Sequence, residues 1–124
     1  MKISKYILTI SLSMALFSCE EKIIKDSETI KTTVSNGIAT STFKVWGNCS
    51  MCKETIEESL KIDGIKKSDW NEETKLITVE FDTSKFNLDQ IQKNIAAAGY
   101  DNITYKGDDK AYSELPDCCQ YDRK

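Results

Sequence analysis

Alternating apolar and polar residues mark several short strands along the chain. Between residues 75 and 82, Ile77, Val79 and Phe81 occupy every second position, with polar residues between them. Side chains of a β-strand point alternately to its two faces, so this pattern indicates a strand with one buried face. Shorter patterns of the same kind predict the other strands. The four predicted strands span residues 42–47, 65–70, 75–82 and 101–106.

Two other segments carry apolar residues at helical spacing. The first predicted helix spans residues 51–62, and its apolar face consists of Cys52, Ile56 and Leu60. The second begins after Asn87, a residue type that caps helix N-termini, and ends before Gly99, a residue type that terminates helices. Its apolar stripe consists of Leu88, Ile91 and Ile95. Each helix therefore has one face to bury.

The order of these elements, β-α-β-β-α-β over residues 42–106, predicts the fold class. It is that of an α+β, ferredoxin-like sandwich, in which two helices pack on one face of a four-stranded antiparallel sheet. Residues 19–41 are mostly polar and are interpreted as a flexible tether. Residues 107–124 are predicted to form a tail outside the core.

The N-terminus has the layout of a secretory signal peptide over residues 1–18. Lys2 and Lys5 precede a mostly apolar run of twelve residues, 6–17. Such a run reaches only about 18 Å as a helix, too short for a hydrocarbon core of about 30 Å. The alternative is an apolar first helix of the domain. The segment Leu-Phe-Ser-Cys ending at Cys19 resembles the lipobox of bacterial lipoproteins. This resemblance implies cleavage before Cys19, its lipidation, and a protein anchored to a membrane of the bacterial cell envelope, either periplasmic or surface-facing.

Charge and composition exclude several classes of function. The chain has 17 basic and 20 acidic residues, and loss of the two lysines of the leader would leave a net charge of −5. That balance argues against binding to nucleic acid. The chain has no histidine, which disfavours nitrogen-rich metal sites, and no recognisable catalytic pair of carboxylates. We therefore expect a binding protein and not an enzyme.

Four cysteines outside the lipidation site are the candidates for chemistry: Cys49, Cys52, Cys118 and Cys119. Thiolates are soft donors that select ions such as Cu(I), Hg(II) and Zn(II) over hard cations. Cysteines three apart at a helix start can present the sulfur spacing of about 4.6 Å needed for linear coordination. The helix dipole and Lys53 are expected to lower the thiol pKa of Cys52. The pair Cys118 and Cys119 either joins this site, holds a second ion, or is incidental.

The segment Val-Trp-Gly-Asn-Cys-Ser-Met-Cys, residues 45–52, resembles the metal-binding loop of heavy-metal-associated domains. These domains occur in copper chaperones, copper-ATPase modules and periplasmic mercury-binding proteins. Further similarities lie at residues 63–65, 79–82 and 97–100. The resemblance implies that Cys49 and Cys52 are the metal ligands, that Cu(I) is the preferred ion over Hg(II) or Zn(II), and that a metal-transporting protein is a partner. The implied function is that of a metal chaperone or scavenger.

This loop departs from the family pattern in one respect. The chain has one residue fewer between Gly47 and Cys49 than the family usually has, and it lacks the methionine buried under the loop. Met51 falls between the two cysteines instead. We expect it to pack against the domain, with a thioether ligand as the alternative. Trp46 and Trp70 are also expected to be packing groups.

Two other functions are compatible with the cysteine spacing. A Cys-x-x-Cys motif at a helix start also occurs in thiol–disulfide oxidoreductases, although the predicted order of elements differs from theirs. A structural zinc module using all four cysteines is the second alternative, and metal removal should unfold such a module.

Overall fold

The computed structural model describes residues 30–124, so the predicted leader and Cys19 lie outside the described residues. Five strands and helices form the centre of the fold: β2 (Ile38–Lys44), α1 (Ser50–Glu58), β3 (Ile65–Trp70), β4 (Leu76–Asp82) and α2 (Leu88–Ala97). Strand β1 (Lys31–Ser35) precedes them, and helix α3 (Asp109–Ser113) and a 3₁₀ turn (Asp117–Cys119) follow. Within residues 30–124, the helices are too short and too polar to cross a membrane.

The four strands form one antiparallel sheet in the order β1-β2-β4-β3. Alternate residues of β4 are buried, as the sequence pattern predicted: Ile77, Val79 and Phe81. Both long helices place apolar residues in the same core, including Ile56 from α1 and Ile95 from α2. The predicted sandwich of two helices on one face of a four-stranded antiparallel sheet is therefore confirmed.

Residues 31–41 form part of a β-hairpin, so the prediction of a tether over residues 19–41 is wrong for this stretch. Strands β1 and β2 are joined at Asn36 and Gly37, which have φ angles of 50° and 77°. An Asn-Gly pair favours this left-handed conformation and is a strong hairpin signal. All five residues of β1 are exposed. Because β1 lies at the edge of the sheet and buries no side chain, its composition resembles that of a tether.

Residues 101–106 do not form the predicted fourth strand. They make a single bridge to the sheet, between Val45 and Asn102. The Asn102 side chain accepts hydrogen bonds from the backbone N–H groups of Thr104 and Tyr105, at 3.1 and 3.0 Å, which turns the chain away from the sheet. Strand β1 pairs with the same edge of β2 and supplies the fourth strand in their place.

The capping signals of the second helix are confirmed in detail. The Asn87 side chain accepts the N–H group of Gln90 at 2.9 Å, and the Gln90 side chain accepts the N–H group of Asn87 at 3.0 Å. This reciprocal pair satisfies two of the free donors at the helix start. Gly99 has a φ angle of 95°, as expected of a residue that ends a helix. Helix α1 is shorter than predicted and ends at Glu58.

The C-terminal segment is part of the core, and the prediction of a tail outside it is wrong. Cys119 and Tyr121 are buried among the core residues. The Tyr121 hydroxyl donates to the carbonyl of Gly99 and accepts the N–H group of Asp101, both at 2.7 Å. Arg123 donates to the buried carboxylate of Asp101 at 2.6 Å. We call Tyr121 and Arg123 the C-terminal latch, because they attach the chain end to the domain.

Candidate metal site

The loop that carries the first two cysteines rests on a buried tryptophan. Trp70 is fully buried, and its indole N–H group donates to the carbonyl of Val45 at 3.0 Å. A Cβ atom at Gly47 would lie only 3.0 Å from the Trp70 ring, so the loop approaches the ring as closely as a glycine permits. Trp46 is half-buried against the core. Both tryptophans are therefore packing groups, as predicted.

Cys49 and Cys52 lie together at the N-terminus of α1. Cys49 is the residue that precedes the first helical turn, whereas Cys52 lies within that turn. Their sulfur atoms are 3.7 Å apart. Cys49 is half-buried and Cys52 fully buried, and the N–H group of Asn48 donates to the Cys52 sulfur at 3.3 Å. The two sulfurs thus face each other with one of them open to a ligand.

The C-terminal segment brings the other two cysteines to this loop. The Cys119 sulfur lies 3.9 Å from the sulfur of Cys49 and 3.9 Å from that of Cys118. The sulfurs of Cys49, Cys118 and Cys119 all lie within 4.8 Å of one another. Cys119 is buried and Cys118 is exposed. The structure therefore places all four candidate cysteines in one cluster and brings the C-terminal segment to the Cys49–Cys52 loop.

Met51 does not pack against the domain, and that prediction is wrong. Its side chain is 48% exposed, and its sulfur lies 3.5 Å from the sulfur of Cys118. Met51 lies in the first turn of α1 between Cys49 and Cys52, on the side of the helix that faces solvent and the tail. The alternative considered for it, a thioether close to the metal site, agrees with this position.

Hydrogen bonds at the start of α1 favour the thiolate form of Cys49. The backbone N–H group of Cys52 is the main cause that lowers the pKa of Cys49 to about 7, and the N–H group of Met51 contributes to the same effect. Burial raises the pKa of Cys119, and contact with Cys49 raises that of Cys118. Cys49, whose sulfur contacts those of Cys52 and Cys119, is therefore well populated as a thiolate at neutral pH.

Lys53, which the sequence suggested would act on the sulfurs, contacts two acidic side chains. Its ammonium group lies 2.6 Å from a carboxylate oxygen of Glu57 and 2.6 Å from one of Asp69. It also donates to the carbonyl of Trp70 at 2.8 Å. Lys53 therefore joins α1 to β3 and neutralises acids there.

A tyrosine beneath the cluster had no role assigned from the sequence. Tyr100 is fully buried, and its hydroxyl group has no hydrogen-bond partner among the described residues. Burial is the main cause that raises its pKa, and the charges of Cys52 and Cys119 act in the same direction. The only sequence signal for Tyr100 was its place in the segment 97–100 that resembles heavy-metal-associated domains.

Comparison with known proteins gives consistent matches over the same part of the chain. The family model described as "Heavy-metal-associated domain" matches residues 42–101. A relative named copper chaperone CopZ, from Staphylococcus aureus, is 36% identical over 57 residues, which are 45% of this chain and 84% of the relative. A solved structure titled "CopZ metallochaperone" is 33% identical with a TM-score of 0.50, covering 52% of this chain and 98% of that one. Oxidized MerP from Ralstonia metallidurans CH34 is 34% identical with a TM-score of 0.49, covering 52% and 93%.

Proposed function

Because this chain belongs to the heavy-metal-associated domain family, we propose that it binds Cu(I) through Cys49 and Cys52 as a metal chaperone or scavenger. The observation that carries the proposal is the pair of sulfurs 3.7 Å apart at the N-terminus of α1. The similar protein of Staphylococcus aureus is named a copper chaperone. Two thiolates at a helix start form a soft site that prefers Cu(I) to hard cations.

The spacing of the sulfurs favours a coordination number above two. Linear coordination needs sulfurs about 4.6 Å apart and trigonal coordination about 4.0 Å, taking metal–sulfur bonds of about 2.3 Å. The distance of 3.7 Å between Cys49 and Cys52 is nearer to the second value. The thiols of Cys118 and Cys119 lie beside Cys49 and can supply further ligands. We include both in the proposed site, where they also shield a bound ion from solvent.

Two observations favour this function over a structural zinc module. A closed zinc site of four thiolates needs all four sulfurs around one point, but Cys52 is not in the group whose sulfurs lie within 4.8 Å of one another. The core of apolar residues extends well away from the sulfurs, so the domain has a source of stability besides a metal. Membership of the family also confirms the prediction that the chain is not an enzyme.

Retention of metal in the presence of a chelator tests the proposed function. We expect the reduced full-length chain, exposed to equal amounts of Cu(I), Zn(II) and Hg(II) in separate samples, to retain Cu(I) in the presence of a Cu(I) chelator. Elemental analysis after desalting measures the bound metal, and circular dichroism measures the fold with and without metal. Retention of Zn(II) with unfolding on its removal would support the structural zinc module instead.

We further propose that the ion is delivered to a metal-transporting protein by exchange of sulfur ligands. Cys118 and Met51 are exposed at the outer side of the cluster, whereas Cys52 and Cys119 are buried. A thiolate of a partner can therefore reach the ion from the outer side while the buried sulfurs still hold it. This order of exchange avoids the release of free Cu(I) into solvent.

We also propose that the protein is anchored to a membrane of the bacterial cell envelope by a lipid on Cys19. The support is the leader at residues 1–18, which ends in a segment resembling a lipobox. We expect Cys19→Ala to move the protein from the membrane fraction to the soluble fraction of a bacterial host and to abolish incorporation of labelled fatty acid. Ser18→Ala serves as a control, because it keeps a small residue before the cysteine. A wild-type chain that remains unprocessed and unlipidated would contradict this part of the proposal.

A further inference from the structure

The cluster contains more sulfur atoms than one Cu(I) ion can use. Four thiols and the thioether of Met51 form a continuous series, in which successive sulfurs are 3.5–3.9 Å apart. Cu(I) takes two to four sulfur ligands, so five sulfurs exceed the need of one ion. We propose that the protein binds a second Cu(I) ion at an outer site formed by Cys49, Cys118 and Cys119 and completed by Met51. This inference rests on the proposed function, since it adds a second ion to the same cluster.

The outer site has the dimensions of a three-sulfur site. A trigonal ion with bonds of about 2.3 Å requires sulfurs about 4.0 Å apart. Two sides of the triangle, from Cys119 to Cys49 and from Cys119 to Cys118, measure 3.9 Å, and the third is within 4.8 Å. The triangle therefore needs only a small adjustment of the exposed Cys118 side chain to hold an ion.

Cys49 is the sulfur that the two sites share. It lies 3.7 Å from Cys52 on one side and 3.9 Å from Cys119 on the other. A thiolate has several lone pairs and can bridge two Cu(I) ions. A single ion can use all of these thiols; with two ions bound, Cys49 and Cys52 hold the first, and Cys49, Cys118 and Cys119 hold the second. On binding, the thiols of Cys118 and Cys119 each release a proton to solvent, and no electron is transferred.

Met51 gives the outer site a neutral soft donor. Its sulfur lies 3.5 Å from that of Cys118, and both side chains are exposed. A thioether adds no negative charge to a site that already carries several thiolates, and it selects the same soft ions. With two ions bound, four thiolates and two Cu(I) ions give the cluster a net charge of −2, which the neutral Met51 donor does not increase.

The fold holds the outer site in place before an ion arrives. Cys118 and Cys119 belong to one 3₁₀ turn, Asp117–Cys119, which directs both sulfurs to the loop. The N–H group of Cys119 donates to the carbonyl of Pro116 at 2.7 Å and closes this turn. The C-terminal latch follows within four residues and attaches the turn to the core. The ligands are therefore positioned by the domain, and binding costs little ordering of the chain.

Native mass spectrometry of the reduced full-length chain, with Cys19→Ser to remove the additional thiol, tests this proposal. In Cu(I) titration against a Cu(I) chelator we expect two ions per monomer. Cys118→Ser should reduce this number to one. Met51→Leu should lower the affinity for the second ion at least tenfold. Met51→Cys restores a soft donor and should recover that affinity. Ile62→Leu changes another exposed apolar residue and should retain both ions.

The possible results separate this inference from the proposed function. One ion per wild-type monomer, or two ions in the Cys118→Ser variant, would overturn the second site alone. Two ions found only in a copper-bridged dimer would overturn it as well. A wild-type chain that binds no Cu(I) against the chelator would overturn both proposals. Because Cys118 and Met51 are exposed, their substitution leaves the core intact, and circular dichroism checks this.

Discussion

Replacement of Cys49 by serine is expected to lower the affinity for Cu(I) by at least about 100-fold, or roughly 2.7 kcal/mol. The reason is that Cys49 touches both Cys52 and Cys119 and carries the thiol whose pKa is lowered to about 7. A serine hydroxyl is a hard, neutral donor at this pH and cannot replace the thiolate. Chelator competition with reduced protein measures the change.

The fold should tolerate this substitution, which makes the test specific. Cys49 occupies the position before the first turn of α1, where serine is among the preferred residues because its oxygen accepts a free N–H group. The stability of the variant should therefore equal or exceed that of the wild type. Cys52→Ser should also weaken binding strongly, while the exposed Ser50→Ala is the control from the same loop. If Cys49→Ser and Cys52→Ser bind Cu(I) like the wild type, the metal site lies elsewhere.

The second large effect is expected on stability, from Arg123→Met. Arg123 is 18% exposed and pairs with Asp101, which is fully buried. Removal of one member of a buried ion pair leaves an uncompensated charge and costs about 3 kcal/mol or more. For a domain of this size, this corresponds to a melting temperature lower by roughly 12–20 °C. Thermal unfolding followed by circular dichroism measures it, and faster alkylation of Cys119 would report detachment of the latch.

Lys106→Met is the matched control for this prediction. Lys106 pairs with Asp109 at 2.9 Å, but both side chains are exposed, and such pairs contribute little to stability. A loss of stability as small in Arg123→Met as in Lys106→Met would contradict the assignment of the latch. Equal rates of Cys119 alkylation in the wild type and in Arg123→Met would also contradict this assignment.

The pH dependence of the latch follows from Asp101. Burial disfavours ionisation of this carboxyl, but hydrogen bonds from Arg123 and from the N–H groups of Gly107 and Lys124 outweigh burial and lower its pKa. A carboxylate with a lowered pKa stabilises the fold above its unfolded-state pKa, and this contribution is lost as the pH falls through its folded-state pKa. The stability difference between wild type and Arg123→Met should therefore be largest near neutral pH and shrink in acid.

Local patterns were sufficient to predict the centre of the fold. Strand Ile65–Trp70 has the predicted bounds, and the second helix begins after Asn87 with the expected cap. These features depend on residues within a few positions of each other, such as Asn87 and Gln90. The hairpin before them was missed, although the Asn36–Gly37 turn is also a local signal. Its strand β1 has only exposed side chains, so no apolar alternation accompanied that signal.

By itself, the sequence determined the βαββα centre of the fold and the Cys49–Cys52 loop, because periodicity, caps and a three-residue spacing act over short distances along the chain. Only the tertiary structure decided that Cys119 and Tyr121 are buried and that Cys118 and Cys119 reach the Cys49–Cys52 loop. Cys49 and Cys119 are 70 residues apart, and their sulfurs meet at 3.9 Å. That contact depends on the Tyr121 hydroxyl at Gly99 and on Arg123 at buried Asp101, which are long-range interactions that leave no periodic trace in the sequence.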